Sequence, residues 1–178
     1  SEQITQTVSV YTLQNGQMEQ LLTAPYSKFL CTNLDGNMSQ ELFILRPDDN
    51  GAVNGVAEMY YMKDGVIARS AVASMSRPSE TIKRVIVSYL NDYRPAVFVA
   101  SDVNGTSIVT DVYSVVDGKL TNMTLDIDSD THVNTLRNYY VFAEDIDRDG
   151  VLELPQLIAM RMPEDGLTAE GQHLIQWY

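Results

Sequence analysis

At 178 residues the chain is long enough for one sizeable core, or for several small repeats that share one. Its 44% hydrophobic and 20% charged residues give a globular balance, and the lack of any apolar run of about 18 residues excludes a membrane-spanning helix. The 24 acidic residues outnumber the 12 basic ones, and the net charge of −12 comes without a basic stripe. That excludes a nucleic-acid backbone as partner and suits a solvated surface, bound cations or a basic partner.

The first element is the run VYTLQNGQMEQL from Val10. It reads as a hairpin, because an Asn-Gly pair between two strands supplies the positive φ at both positions that a type I′ turn requires. Next comes KFLCTNLDGNMSQELFIL from Lys28, a strand, a polar loop and a second strand. Cys31 is the single cysteine, so the chain has no internal disulfide framework. Its apolar setting points to a buried, inert thiol. MYYMKDGVIARS from Met59 is a second hairpin around Asp64-Gly65, and SRPSETIK after it has room for one helical turn.

The pattern then repeats. RVIVSYLNDYRPAVFVAS from Arg84 has the same strand–loop–strand outline with Leu90 in the apolar slot, though Tyr89, Asn91 and Tyr93 stand where acids are expected. VYSVVDGKLTNM from Val112 is the third hairpin. The run DIDSD at 126–130 lacks a glycine and reads as a charged, solvated connection. YVFAEDIDRDGVLELPQLIAM from Tyr140 is the third strand–loop–strand element, and after one more short connection the chain closes on HLIQWY.

Aligning the turn glycines brings Tyr11, Tyr60 and Tyr113 into register, with Trp177 at the same place in the closing run. These aromatics read as hairpin packing. Four strands recurring about every 50 to 60 residues is the period of propeller blades. The expected fold is therefore all-β, with antiparallel four-stranded repeat units forming propeller-like blades of an incomplete propeller. A β-sandwich is the alternative. The units fall at 1–25 (partial, one hairpin), 26–77, 78–130 and 131–178 (partial). Because a closed propeller typically needs four to eight blades, the chain is expected to belong to a larger protein or to self-associate.

The loop from Asp145 has the spacing of a calcium ligand set. Calcium takes six to eight hard oxygen ligands, and a coiled loop supplies carboxylates at positions 1, 3 and 5, a carbonyl at 7 and a further carboxylate beyond. Here these are Asp145, Asp147, Asp149, the carbonyl of Val151, and Glu153. Gly150 permits the bend, and Ile146 and Leu154 are expected to anchor the loop in the core. An EF-hand needs its bidentate glutamate at position 12, which is Gln156, and helices on both sides, where the flanks read as strands. The loop from Asn33 matches it position for position, through Asn33, Asp35, Asn37, Ser39 and Glu41, with two carboxylates replaced by amides. The charge count makes 145–153 the primary calcium site and 33–41 the weaker one.

Asp145-Ile-Asp-Arg-Asp-Gly-Val-Leu-Glu-Leu resembles the calcium loop of FG-GAP or VCBS-type repeats, the blades of integrin-α-like propellers and of many secreted or lipid-anchored bacterial proteins. Asn33-Leu-Asp-Gly-Asn-Met-Ser-Gln-Glu-Leu is similar, with Met38 where the family often has glycine, and the loop from Ser88 departs from the pattern. The resemblance implies a seven-bladed propeller in the full-length protein and an extracellular or envelope location, lipid-anchored in some relatives. It also implies a non-catalytic, calcium-stabilised module that presents loops to a protein or glycan. The alternative role is an accessory domain of a carbohydrate-active or other polymer-degrading enzyme. No catalytic constellation is recognisable. His132 and His173 are the only histidines, and neither has zinc-ligand spacing.

Overall fold

The computed structural model describes residues 6–90, 93–124, 135–136, 141–158 and 174–177. These residues are all-β: antiparallel strands, one 3-10 turn at Ser79–Thr81 within the run read above as a single helical turn, and no α-helix among them. The runs DIDSD and PEDGLTAEGQ, and both histidines, lie outside the described residues.

Strands β1 (Thr7–Gln14) and β2 (Gln17–Pro25) form a two-stranded hairpin. The next sheet is a meander of β3 (Lys28–Thr32), β4 (Glu41–Pro47), β5 (Gly55–Lys63) and β6 (Val66–Arg69), with the short β7 (Ala73–Ser74) added on β5. The following sheet repeats that order with β8 (Ile82–Tyr89), β9 (Pro95–Val103), β10 (Ser107–Val116) and β11 (Lys119–Asn122), and β12 (Thr135–Leu136) added on β10. Finally β13 (Pro155–Ile158) pairs with β14 (Leu174–Trp177), placing Trp177 opposite Pro155. None of the sheets closes on itself.

The local cause of the hairpins is visible in the backbone. Asn15-Gly16, Asp64-Gly65 and Asp117-Gly118 each have φ between 50° and 78° at both positions, the type I′ geometry that only short polar residues and glycine adopt cheaply. The three aligned tyrosines sit opposite Gln20, Arg69 and Asn122 on their partner strands.

The sheets stack face to face in chain order. Val8, Val10, Leu22 and Ala24 of the first hairpin pack on Leu42, Ile44 and Tyr60 of the β3–β6 sheet. The opposite face of that sheet, with Phe43, Leu45, Ala57 and Met59, meets Val97, Val99, Tyr113 and Leu120 of the β8–β11 sheet in the central core. The far face of this second large sheet, with Ala96, Phe98 and Val112, is covered by Ala143, Leu152 and Leu154. A face-to-face pair of this kind occurs both in a β-sandwich and in neighbouring propeller blades. The aligned tyrosines follow the stack: Tyr113 is fully buried between the large sheets, whereas Tyr11, on the outer face of the hairpin, is 50% exposed.

Two buried polar clusters stand out, one within the β3–β6 sheet and one that bridges the two large sheets. Glu58 is buried on the face beneath the hairpin and accepts from Arg46 (2.7 Å), Arg69 (3.1 Å) and the Tyr60 hydroxyl (2.9 Å). Burial alone would raise its pKa, but the hydrogen bonds from Arg46 and Tyr60 and the two guanidinium charges outweigh it and hold the carboxyl below its ordinary range. At the joint between the large sheets, the buried Asp111 accepts from the Ser76 amide (2.9 Å), the Ser76 hydroxyl and the Asn122 side chain (2.9 Å). The Tyr113 hydroxyl donates to the Ser74 carbonyl at 3.2 Å.

One burial expectation is reversed. Cys31 is exposed, because β3 is the edge strand of its sheet and, of its apolar residues, only Leu30 turns onto the core.

Candidate metal centre

The first acidic loop joins β3 to β4, and the second leads into β13. Thr32 pairs with Glu41 across the mouth of the first loop, and Glu144 bridges Glu153 across the mouth of the second. Inside, the two loops share three hydrogen bonds and differ at position 1, and in the first loop the Asn37 side-chain amide also donates to the second oxygen of Asp35 at 2.7 Å. The amide at position 2 donates to the carboxylate at position 9: Leu34 to Glu41 Oε2 at 2.7 Å, and Ile146 to Glu153 Oε2 at 2.8 Å. The amide at position 5 donates to position 3, as Asn37 to Asp35 at 3.0 Å and Asp149 to Asp147 at 3.2 Å. The amide at position 7 donates to position 5, as Ser39 to Asn37 and Val151 to Asp149, both at 2.8 Å. Position 1 closes the coil, with Asn33 accepting from Gly36 and Asp145 from Gly150.

The backbone matches as closely. Positions 4 and 6 have positive φ in both loops: Gly36 (78°) and Met38 (73°) in one, Arg148 (66°) and Gly150 (92°) in the other. Each loop therefore has glycine at one of its two left-handed positions and a strained L-residue at the other. In the first loop the glycine stands two residues upstream of Met38.

Two observations bear on whether a cation fits. Ligand oxygens of Asp145, Asp147 and Asp149 lie within 4.8 Å of one another on an exposed loop, and each of these residues has one oxygen turned to a backbone amide and a second one outside those bonds. In the first loop, Glu41 is 1% exposed and its Oε1 is buried without a hydrogen-bond partner. A buried unpaired acceptor costs free energy that a bound cation recovers. Hard oxygen donors of this kind suit calcium or a similar hard cation. In the first loop those donors are Asn33, Asp35, Asn37 and Glu41 with the carbonyl of Ser39. In the second they are Asp145, Asp147, Asp149 and Glu153 with the carbonyl of Val151.

Of the two expected anchors of the 145–153 loop, Leu154 packs on the core and Ile146 does not. Leu34 is fully buried in the central core, but Ile146 is 49% exposed. The 145–153 loop is held by Leu152 and Leu154 on the far face of the β8–β11 sheet. Ser88 also donates to the Gly150 carbonyl at 3.1 Å, and Tyr89 forms a bridge with Val151. The described residues of the middle loop close through backbone bonds, Leu90 to Arg94 at 2.9 Å and Tyr93 to Leu90 at 2.7 Å.

Strand direction places these loops and the hairpin turns at the same end of the stack. Alternate strands run away from it, so the 33–40 loop lies beside the 64–65 turn, and the end of β8 at Tyr89 beside 117–118 and 150–151. At the other end, the Ser27 amide donates to the Leu45 carbonyl and the Gly55 amide to the Arg77 carbonyl, and the Ser27 and Ser79 hydroxyls bond at 2.8 Å. The loop end carries Leu13, Met18, Met38, Met62, Val66 and Tyr93 in exposed positions, next to Asp35, Asp64, Asp117 and the 145–149 aspartates. Nothing in the sequence patterning singled out these apolar tips. The available signal was that Leu13 and Met18, one step beyond Asn15-Gly16, and Met62 and Val66 around Asp64-Gly65 are apolar where solvent-facing turn neighbours are usually polar.

Compared with family models, curated proteins and solved structures, the chain matches none.

Proposed function

We propose that this chain is a calcium-stabilised binding module, made of propeller-type blades, that displays its loop end to a protein partner outside the cell or in the cell envelope. The observation that carries the reading is the repeated cage. Two loops about 110 residues apart in sequence repeat three bonds from backbone amides to side-chain oxygens and the same two left-handed positions. Such a cage brings carboxylates together at a repulsive cost, and a divalent cation reverses the sign of that cost. The exposed apolar side chains at the loop end exceed what turn chemistry needs and supply contact area for a partner, with the acids around them selecting a basic one. Loops in which a few exposed aspartates supply the ligands are suited to the millimolar calcium outside cells. The blade reading is supported by the consecutive four-stranded meanders stacked in one sense.

The test is thermal unfolding of the chain in millimolar calcium and in excess chelator. Calcium should raise the midpoint, and magnesium, which resists such dehydration, should raise it less. Equal midpoints with calcium and with chelator, together with no heat in a calcium titration, would remove the metal and with it the module as described.

A further inference from the structure

The two loops share one hydrogen-bond pattern but are joined to the rest of the molecule in opposite ways. In the 33–41 loop the position-9 carboxylate is sealed in. Glu41 Oε2 takes the Leu34 amide at 2.7 Å and the Asp35 amide at 3.4 Å, and Oε1 is buried with no partner. Leu34, whose amide it holds, is a fully buried member of the core cluster that includes Phe43 and Met59 on one large sheet and Val97 and Tyr113 on the other. In the 145–153 loop the position-9 carboxylate belongs to Glu153, which is only partly buried, and the residue whose amide it holds, Ile146, is half exposed.

On the reading that these loops bind calcium, we infer that the two sites do different work: the cation at 33–41 is an integral part of the core between the two large sheets, while the cation at 145–153 exchanges without disturbing the fold. Losing the first cation strands a carboxylate oxygen where neither water nor a donor reaches it, so the loop must open and draw Leu34 with it. Losing the second returns already exposed aspartates to water. The charge count works the other way. The 145–153 loop has four carboxylates and the 33–41 loop two, so the more acidic loop attracts calcium more strongly from solution, yet the less acidic one is the loop coupled to folding. Coupling depends on what the ligand's removal exposes, not on how many charges it neutralises.

Calorimetric titration with calcium and thermal unfolding, each on the whole chain and on Glu41→Gln and Asp147→Asn, test this. The wild type is expected to take up two calcium ions and each variant one. Glu41→Gln should unfold in chelator at or above the wild-type midpoint, because an amide replaces a buried unpaired carboxylate, and should lose most of the calcium-induced rise. Asp147→Asn should keep most of that rise. If Glu41→Gln does not fold, Asp35→Asn, which alters an exposed ligand of the same loop, takes its place with the same expectation. Hydrogen exchange at the Leu34 amide gives an independent readout, slowed by calcium in the wild type and in Asp147→Asn but not in Glu41→Gln. A calcium-induced rise that survives Glu41→Gln and vanishes in Asp147→Asn, or one ion bound only at 145–153, overturns the division while leaving calcium binding intact. No binding by any of the three proteins overturns the calcium reading itself, and the division falls with it.

Discussion

Asp111 tests the joint between the large sheets most directly. Its carboxylate is fully buried on β10, and it accepts from the amide and hydroxyl of Ser76, which follows the strand added to the preceding sheet, and from Asn122 on its own sheet. Asp111→Ala removes these bonds at once. Hydrogen bonds to a charged acceptor contribute about 1.5–3 kcal/mol each, but the terms do not sum. Asn122 keeps the Ser74 carbonyl at 3.0 Å, and Ser76 lies at a partly buried site that water reaches. The net loss should therefore be about 3–5 kcal/mol, the upper range for removing the centre of a buried hydrogen-bond network. For a chain of this size that lowers the unfolding midpoint by about 6–20 °C. Asp111→Asn, which retains one acceptor oxygen, should lose less than half as much. Chemical denaturation in buffered calcium gives both values. A cycle with Ser76→Ala should show a coupling of about 1 kcal/mol or more. A loss below about 1 kcal/mol for Asp111→Ala, or strict additivity with Ser76→Ala, would refute the claim that this carboxylate joins the sheets.

Three further outcomes follow from local geometry and charge. Glu58 has its pKa held below the ordinary 4.5, so it contributes stability above that pH, and the contribution disappears as pH falls through the lower folded-state value. Glu58→Gln should flatten this acid limb in denaturation measured from pH 6 down to pH 2, and an unchanged limb would show that Glu58 does not shape it. Met38 and Arg148 occupy left-handed positions on exposed loops, so Met38→Gly and Arg148→Gly should each stabilise the chain by about 0.5–1 kcal/mol, relieved strain exceeding lost chain stiffness. Gly36→Ala and Gly150→Ala should destabilise it, and the opposite signs in chelator would overturn the shared loop geometry. Gly55 has no room for a side chain: a Cβ there would sit 2.7 Å from Met75 Sδ and 2.8 Å from the Arg46 carbonyl. Gly55→Ala should cost about 1–3 kcal/mol and fall hardest on the β4–β5 pairing, read by amide exchange at Val56 and Ala57, which uniform exchange would contradict.

Much of this molecule was legible from short stretches of chain, because the deciding forces are local. The Asn-Gly and Asp-Gly turns are set by which residues accept positive φ, and all three adopt it. Loop spacing alone dictates that alternate side chains turn back to the amides two residues on, which is why the 33–41 and 145–153 loops coil alike despite their different charge. Burial is not local. Leu34 and Ile146 hold the same loop position and both are aliphatic, yet one is sealed and the other half exposed. The difference is the neighbour: a second large sheet packs over Leu34, while the 145–153 loop rests on the far face of that sheet through Leu152 and Leu154. The same holds for Cys31, apolar by its surroundings in sequence but exposed because its strand is an edge, and for Asp111, an unremarkable acid in a strand until Ser76 arrives from the preceding sheet. By itself the sequence determined the strands, the turns and the oxygen-rich loops, since each follows from backbone sterics and spacing within about ten residues. Which of two equivalent carboxylates is buried, and so which loop bears on the stability of the whole, was decided only when the sheets stacked, because desolvation depends on what covers a group and not on what precedes it in the chain.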